Sequence, residues 1–404
     1  MSHSDIDEGR RKFLKKSIAG MVVLPAVLNT SLKAEKPKTT SSKFIYRTLG
    51  KTGMKLPVVS MGVMNADNPN LVKAALDAGI VHLDTAHGYQ RGRNEEMIGQ
   101  VIKDRGRDSF VLATKVPADF QDDKTGLFTE KTKPESFIEK FEISLKRLGL
   151  EYVDILYLHD VVKKEAAMFE PLLTALINLK KAGKTRFIGV STHRNEPEVI
   201  QAVADSKIYD VVLTAYNFRQ PHLIEMHKAM EYAAKAGVGI IAMKTQAGVF
   251  WDRERQHQIN MKAALKWVLA NENVHTTIPG FTTFDQMNLD LSVMEDLKLT
   301  PEEESELTLG DDMGMNGLYC SQCGQCEAQC HKSLDIPSIM RSYMYAYGYN
   351  NFTAAKEIMQ SLSSDGKFCN DCHACPVKCS FGFDVKSRVM DIARIQNVPS
   401  EFLT

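Results

Sequence analysis

The chain has 404 residues, 44% of them hydrophobic and 25% charged, enough for two or more compact units of ordinary globular composition. Fifty Lys and Arg balance fifty Asp and Glu, so no strong field draws in nucleic acid or an anionic surface, which argues against a nucleic-acid partner. No segment offers the roughly 20 consecutive apolar residues of an integral membrane span.

Residues 10–16 read Arg10-Arg11-Lys12-Phe13-Leu14-Lys15-Lys16, followed by an apolar stretch from Ser17 to Leu28 broken at Pro25. A basic region, a short apolar region and small residues near Ala34 stand in signal-peptide order. The paired arginines with Phe13 and Leu14 resemble the twin-arginine export signal, so residues 1–34 are expected to direct the protein to the periplasm, with 35–43 as linker. The competing reading is a basic tail without a targeting role.

From residue 44 onward, a short hairpin over Phe44–Lys55 precedes eight β-branched runs: Pro57–Gly62, Val81–Thr85, Phe110–Lys115, Val153–His159, Arg186–Ser191, Val211–Tyr216, Val238–Met243 and His275–Pro279. Helical periodicity fills Pro134–Leu148, Glu170–Ala182, Pro197–Ala204 and His222–Ala236. The repeated Ala78-Gly79, Ala182-Gly183 and Ala236-Gly237 pairs place glycine where a helix stops before the next strand. Eight βα units in this length predict a (β/α)8 TIM barrel over 44–310. An open doubly wound sheet would want a Gly-rich phosphate turn after its first strand, and none is present. In such a barrel the chemistry collects at the carboxyl ends of the strands, here Asp84, Lys115, His159, Ser191, Asn217, Lys244 and Gly280.

All eight cysteines lie between Cys320 and Cys379. They form two runs, Cys320, Cys323, Cys326, Cys330 and Cys369, Cys372, Cys375, Cys379, each C-x2-C-x2-C-x3-C and offset by 49 residues. Asp335 and Asp384 share that offset, so two equivalent sites are expected. This spacing is the bacterial ferredoxin run, which holds [4Fe–4S] cubanes and whose fourth cysteine often serves the partner cluster. Zinc sites or disulfides would also use thiols, but neither explains the duplicated spacing. Residues 311–404 are therefore expected to form a small, mainly α-helical ferredoxin-like iron–sulfur domain with a helical stretch over Ile336–Leu362. Twin-arginine export, which carries folded proteins, fits a metal cofactor inserted before transport.

The motifs Leu83-Asp84-Thr85-Ala86-His87-Gly88-Tyr89, Asn94-Glu95, Ala113-Thr114-Lys115, Asp154 to His159, Ile188-Gly189-Val190-Ser191 and Ile278-Pro279-Gly280 together resemble the aldo-keto reductases over residues 44–300. The resemblance implies a catalytic tetrad of Tyr89, Asp84, Lys115 and His159, with NAD(P)H as hydride donor. A free phenol near pKa 10 is a poor acid. An adjacent Lys115 ammonium, kept charged by Asp84, is expected to lower it, while His159 orients the carbonyl. The resemblance further implies nicotinamide contacts from Ser191, Asn217 and Lys244, and a loop around the pyrophosphate and adenosine from Pro279, Gly280, Thr282, Thr283 and Gln286. Leu289 and Asp290 stand where many members have Glu and Asn beside adenine. Residues 279–296 contain no Lys or Arg to meet a 2′-phosphate, leaving NAD and NADP both open. His87 and His193 are weaker candidates for lining the substrate pocket.

The expected activity is exchange between a small carbonyl and its alcohol, with a sugar-derived substrate in view and a protein electron carrier as a conceivable partner for the clusters. The alternative is a non-catalytic electron-transfer or accessory subunit whose barrel only docks partners.

Overall fold

The computed structural model describes residues 44–122, 125–362, 368–369 and 372–403. The expected export signal and linker lie outside these residues. The described residues belong to one compact unit.

Strands β1 (Tyr46–Thr48) and β2 (Lys55–Pro57) form the antiparallel hairpin. Eight parallel strands follow in sequential order: β3 (Met61–Gly62), β4 (His82–Asp84), β5 (Val111–Val116), β6 (Val153–Leu158), β7 (Thr185–Thr192), β8 (Val211–Ala215), β9 (Gly239–Met243) and β10 (Thr276–Thr277). A parallel bridge between Val59 and Thr277 closes the sheet on itself. The first and last strands are shorter than their apolar runs. Lys55–Pro57 is taken by the hairpin, and only two residues of the 275–279 run join the ladder.

Around the barrel pack α1 (Pro69–Asp77), α2 (Arg93–Ile102), α3 (Pro134–Leu148), the short α4 (Lys164–Ala167), α5 (Glu170–Lys181), α6 (Glu196–Ser206), α7 (Leu223–Lys235), α8 (Met261–Leu269) and α9 (Phe284–Val293). Proline in the first turn of α1, α3, α5 and α6 starts these helices where its missing N–H costs nothing. Gly79, Gly183 and Gly237, at φ of 105°, 73° and 80°, stop α1, α5 and α7 as the Ala-Gly pairs implied.

The hairpin plugs the amino-terminal end of the barrel. Its Leu49 and Leu56 are fully buried with Ala113, Ile155, Leu213 and Ile241 from the strands. Arg47 donates to the carbonyls of Leu269 and Val274 at 2.8 and 2.5 Å, pinning the plug to the last βα unit. With that end sealed, the carboxyl ends of the strands form the open mouth.

Among the described residues, three further α-helices follow α10 (Pro301–Asp312): α11 (Ile336–Tyr347), α12 (Phe352–Ser361) and α13 (Val385–Ala393). The helical stretch expected over Ile336–Leu362 is broken at Gly348. A Cβ there would stand 2.5 Å from the carbonyl oxygen of Gly248 in a barrel loop, so the chain passes against the barrel at this point. Asn351 then caps α12, its side chain accepting from the Ala354 N–H. The helix α10 was not foreseen because its acidic sequence buries only Leu307 and Gly310 and shows no apolar stripe.

A second core joins this C-terminal part to the barrel loop of residues 247–264. Trp251 and Ile259 are buried with Leu318, Tyr319, Met340, Tyr343 and Phe383. No helix among the described residues is long and apolar enough to cross a membrane.

The packing of Trp251 against α10 has no slack: a Cβ on Gly310 would lie 1.9 Å from the indole. Gly310→Ala is therefore expected to lower stability by roughly 1–3 kcal/mol through overpacking, read as a reduced midpoint of chemical unfolding.

Candidate active site

Adjacent strand ends assemble the four residues of the expected tetrad. Asp84 ends β4 and Lys115 lies in β5, and the register Asp84↔Ala113 brings their side chains together in the barrel interior. Lys115 Nζ forms an ion pair with Asp84, both side chains being almost wholly buried. The same ammonium donates to the Thr85 carbonyl at 2.7 Å and to Tyr89 Oη at 3.3 Å. Tyr89 lies beyond the β4 end, and its ring meets that of His159 edge-on with centroids 6.2 Å apart.

Burial acts first on every one of these groups. It alone would lower the Lys115 ammonium, yet the charges of Asp84 and Tyr89 outweigh it and the amine ends above its ordinary value. Burial likewise drives His159 down to about 4, helped by the Lys115 charge, so the imidazole is neutral at physiological pH. For Tyr89 the expected lowering does not survive. Burial raises the phenol by more than Lys115 lowers it, and Asp84 adds to the rise. The corrected picture is a tyrosine kept protonated, with the Lys115 ammonium 3.3 Å from its hydroxyl.

A surrounding network fixes these positions. Thr85 Oγ1 donates to Asn94, and Thr114 Oγ1 donates to Glu95, both at 2.7 Å. Arg147 on α3 pairs with Glu95 at 3.2 Å and donates to the His87 carbonyl at 2.9 Å. The His87 ring turns to Ser144 on α3, at 3.0 Å, and does not line the cleft. The pocket role expected of it is corrected accordingly. His193 does line the cleft, with its Nδ1 buried and without a hydrogen-bond partner.

The cleft at the mouth has a cavity volume of about 570 Å³, within the 300–1,000 Å³ of a typical small-molecule site. Tyr89, Asp84, His159, Lys244, Pro279 and Gly280 all line it. Ser191 and Asn217 are buried at the adjoining strand ends, behind its lining. Ser191 Oγ accepts from the Asp160 N–H at 3.1 Å, and Asn217 donates to the Lys244 carbonyl at 3.0 Å. Thr283 caps α9, accepting from the Gln286 N–H at 3.2 Å, while the Gln286 side chain accepts from the Thr282 N–H at 2.9 Å. These last three order the loop after β10 rather than lining the cleft. Asp160 and Lys244, at φ of 59° and 56°, are non-glycine residues in left-handed backbone at the rim, a strain that collects at functional sites.

Two polar groups are without hydrogen-bond partners among the described residues. Lys244 Nζ makes no hydrogen bond or ion pair among the described residues, and burial together with the Arg341 charge lowers it to about 8. Asp290 on α9 is buried, its Oδ2 has no partner, and burial raises it to about 8.

The two cysteine runs come together in the C-terminal part, and all eight thiols are free. Cys320, Cys323 and Cys326 share one hollow with Cys379 of the second run, and Cys369 feels Cys372, Cys375 and, from the first run, Cys330. Gln329 ties the runs together, accepting from the Lys378 N–H at 2.8 Å. The repeated aspartates have one job: Asp335 and Asp384 cap α11 and α13, each accepting at 3.0 Å from the N–H three residues on. Among the described residues, no three His, Cys, Asp or Glu side chains are drawn close enough to hold one metal ion.

Sequence reasoning missed the cleft wall supplied by α11, where Arg341, Met344 and Tyr345 share one face with Tyr349 just beyond. A signal existed: Arg341 is a charge set in a helix that is otherwise largely apolar.

A closed parallel barrel with a lysine-backed tyrosine at its mouth defines a reductase-type active site. The chain belongs to the aldo/keto reductase family, whose profile matches residues 53–263. Its members are NAD(P)-dependent oxidoreductases acting on carbonyl and alcohol groups, and so is this protein. Similar proteins include the L-glyceraldehyde 3-phosphate reductase of Escherichia coli O157:H7, 24% identical over 320 residues, covering 65% of this chain and 91% of that one. The L-galactose dehydrogenase of Arabidopsis thaliana is 25% identical over 314 residues, covering 66% and 93%. Among solved structures, aldo-keto reductase AKR11C1 from Bacillus halodurans (holo form) aligns with a TM-score of 0.53 at 22% identity, covering 66% of this chain and 96% of that one. That likeness bears on the fold alone.

The buried Asp290 makes a pH prediction. Its folded pKa of about 8 lies above the ordinary 3.8, so folding costs progressively more as pH rises between those values and the carboxyl must stay protonated or be buried charged. The neutral Asp290→Asn variant escapes this. Its stability relative to the parent is expected to improve from pH 4 to pH 8, by roughly 5 kcal/mol, and then level off. Thermal unfolding of both proteins across that range, without cofactor, measures the difference.

Proposed function

We propose that the protein is an exported carbonyl reductase in which Tyr89 is the general acid and base, acting beside two [4Fe–4S] clusters. One observation carries the catalytic part: a single buried ammonium, Lys115, is hydrogen-bonded to both Asp84 and Tyr89 at the barrel mouth.

A bound nicotinamide supplies the hydride; the residues of the chain do the rest. His159 is neutral and can hydrogen-bond a carbonyl oxygen placed beside Tyr89 Oη. As negative charge develops on that oxygen, Tyr89 gives up its proton, and Lys115 stabilises the phenolate left behind. Asp84 keeps Lys115 charged and oriented through both halves of the cycle. In the oxidising direction the phenolate takes the proton back from the alcohol. Lys244, Pro279 and Gly280 would line the nicotinamide side, with Ser191 and Asn217 fixing the rim. The loop ordered by Thr282, Thr283 and Gln286 would hold the phosphates, and NAD or NADP are both admitted.

The donor chemistry of the cysteine runs fits iron–sulfur clusters, with Cys320, Cys323, Cys326 and Cys379 for one and Cys330, Cys369, Cys372 and Cys375 for the other. Bound clusters would supply one-electron chemistry, or rigidity, to the wall behind the cleft. Cys320 lies near enough to Lys244 for their charges to interact, which supports electron exchange between a bound cluster and the cleft. Export through the twin-arginine route rests on residues 10–28 and fits a cofactor inserted before transport. Relatives named for a sugar phosphate and for a sugar support a small sugar-derived carbonyl as substrate.

The test is Tyr89→Phe in anaerobically purified protein. Carbonyl reduction is expected to fall by roughly 10²–10⁴-fold, with iron and sulfide content unchanged. Unchanged turnover would overturn the assignment of Tyr89 and return the barrel to a docking role. The pH profile gives a second check. With His159 at about 4 and Lys244 at about 8, kcat/KM for reduction should be flat between those values, with no break at the ordinary histidine pKa. A break near pH 6.5 that His159→Gln removes would contradict a neutral imidazole.

A further inference from the structure

The lining of the cleft carries charges that the tetrad does not use. Arg341 projects from α11 into the cleft. Its Nε is buried without a hydrogen-bond partner, its one hydrogen bond among the described residues is a long 3.5 Å contact from Nη2 to Ser338 Oγ, and no carboxylate among them pairs with it. Lys244 lines the same cleft, also unpaired. His193, which feels the charges of both, lines the cleft with a buried Nδ1 that has no partner. The Arg341 charge acts on His159, His193, Lys244 and Tyr345, so it lies close to the reacting end of the cleft.

Buried donors are normally satisfied, and a guanidinium fork left open matches the paired oxygens of a carboxylate or phosphoryl group. The other charges on the cleft largely cancel. Lys115 and Asp84 neutralise one another, and Glu357 pairs with Arg91 at 2.9 Å. Asp160 brings one carboxylate, its Oδ1 buried and unpartnered. Two cations against one carboxylate leave the wall positive, with both histidines neutral.

We propose that Arg341, with Lys244 and His193, forms an oxyanion-binding subsite for a carboxylate or phosphate group carried by the carbonyl substrate. This deepens the reductase reading and rests on it. The subsite belongs to the C-terminal part as much as to the barrel, since α11 lies beyond residues 53–263, where the family profile matches. The cysteine-bearing segment would then hold the residue that selects the substrate. Two sources could supply such oxygens, the substrate or the pyrophosphate of the nicotinamide dinucleotide. The substrate is favoured because Arg341 acts on His159 and His193 at the reacting end.

The experiment compares para-carboxybenzaldehyde with its uncharged methyl ester on the full-length, cluster-loaded protein and its Arg341→Gln and Arg341→Lys variants. Expected for Arg341→Gln is a loss of about 10-fold or more in kcat/KM on the carboxylate, against less than about 2-fold on the ester. Arg341→Lys should recover part of the loss. Benzoate binding by calorimetry should weaken in parallel, while NAD(P)H binding by fluorescence titration should not change. Equal loss on both aldehydes, or no loss on either, overturns the proposal. Weakened NAD(P)H binding assigns the charge to the pyrophosphate and also overturns it. If the parent protein reduces neither aldehyde, the reductase reading fails on its own. Benzoate affinity in the parent and in Arg341→Gln then still decides whether the subsite exists.

Discussion

The site depends on one buried ion pair. Lys115 and Asp84 sit inside the barrel with their side chains almost removed from water, where an isolated charge of either sign would be neutralised. The pair persists because each desolvated group satisfies the other and Lys115 also donates to the Thr85 carbonyl and Tyr89. Removing either partner would strand a charge and also release the tyrosine. The electrostatic arrangement and the position of the acid are therefore one property, fixed by the register of β4 on β5.

In the proposed mechanism, the same balance of burial against charge makes the tyrosine a proton donor. Its phenol is raised, since burial outweighs the cation beside it. A group that stays protonated suits the reducing direction, and the ammonium contributes most where the phenolate is forming. His159 is held neutral by the same burial, which leaves it a hydrogen-bonding partner with no charge to compete with Lys115.

Around this centre the chain adds a second structure that is not separate from it. The C-terminal helices share a core with the barrel loop carrying Trp251, and α11 supplies one wall of the cleft. Tyr319, next to the first cysteine of the runs, donates to Gln220 at 3.0 Å, so changes at the cysteines have a short path to the strand ends. In the proposed function, cofactor, substrate and clusters meet across this shared wall, which gives the fused segment a role in selectivity as well as electron handling.

Local pattern by itself pointed to the barrel and to the polar residues Asp84, Lys115 and His159 at its strand ends, while Tyr89 came only from the resemblance to the aldo-keto reductases. Apolar runs ending in Asp84, Lys115 and His159 are periodic signals that a parallel strand must bury, and their polar last residues can only sit at a strand end. The duplicated cysteine spacing and the paired aspartates were equally legible, since both follow from one repeated offset. Tertiary structure decided the rest. The direction of the Tyr89 shift depends on how deeply the phenol is buried, which spacing cannot express. That His87 turns to Ser144 while His193 faces the cleft depends on which way each side chain leaves its turn. The role of Arg341 comes from two segments far apart in sequence closing on one cavity, and no local window contains both.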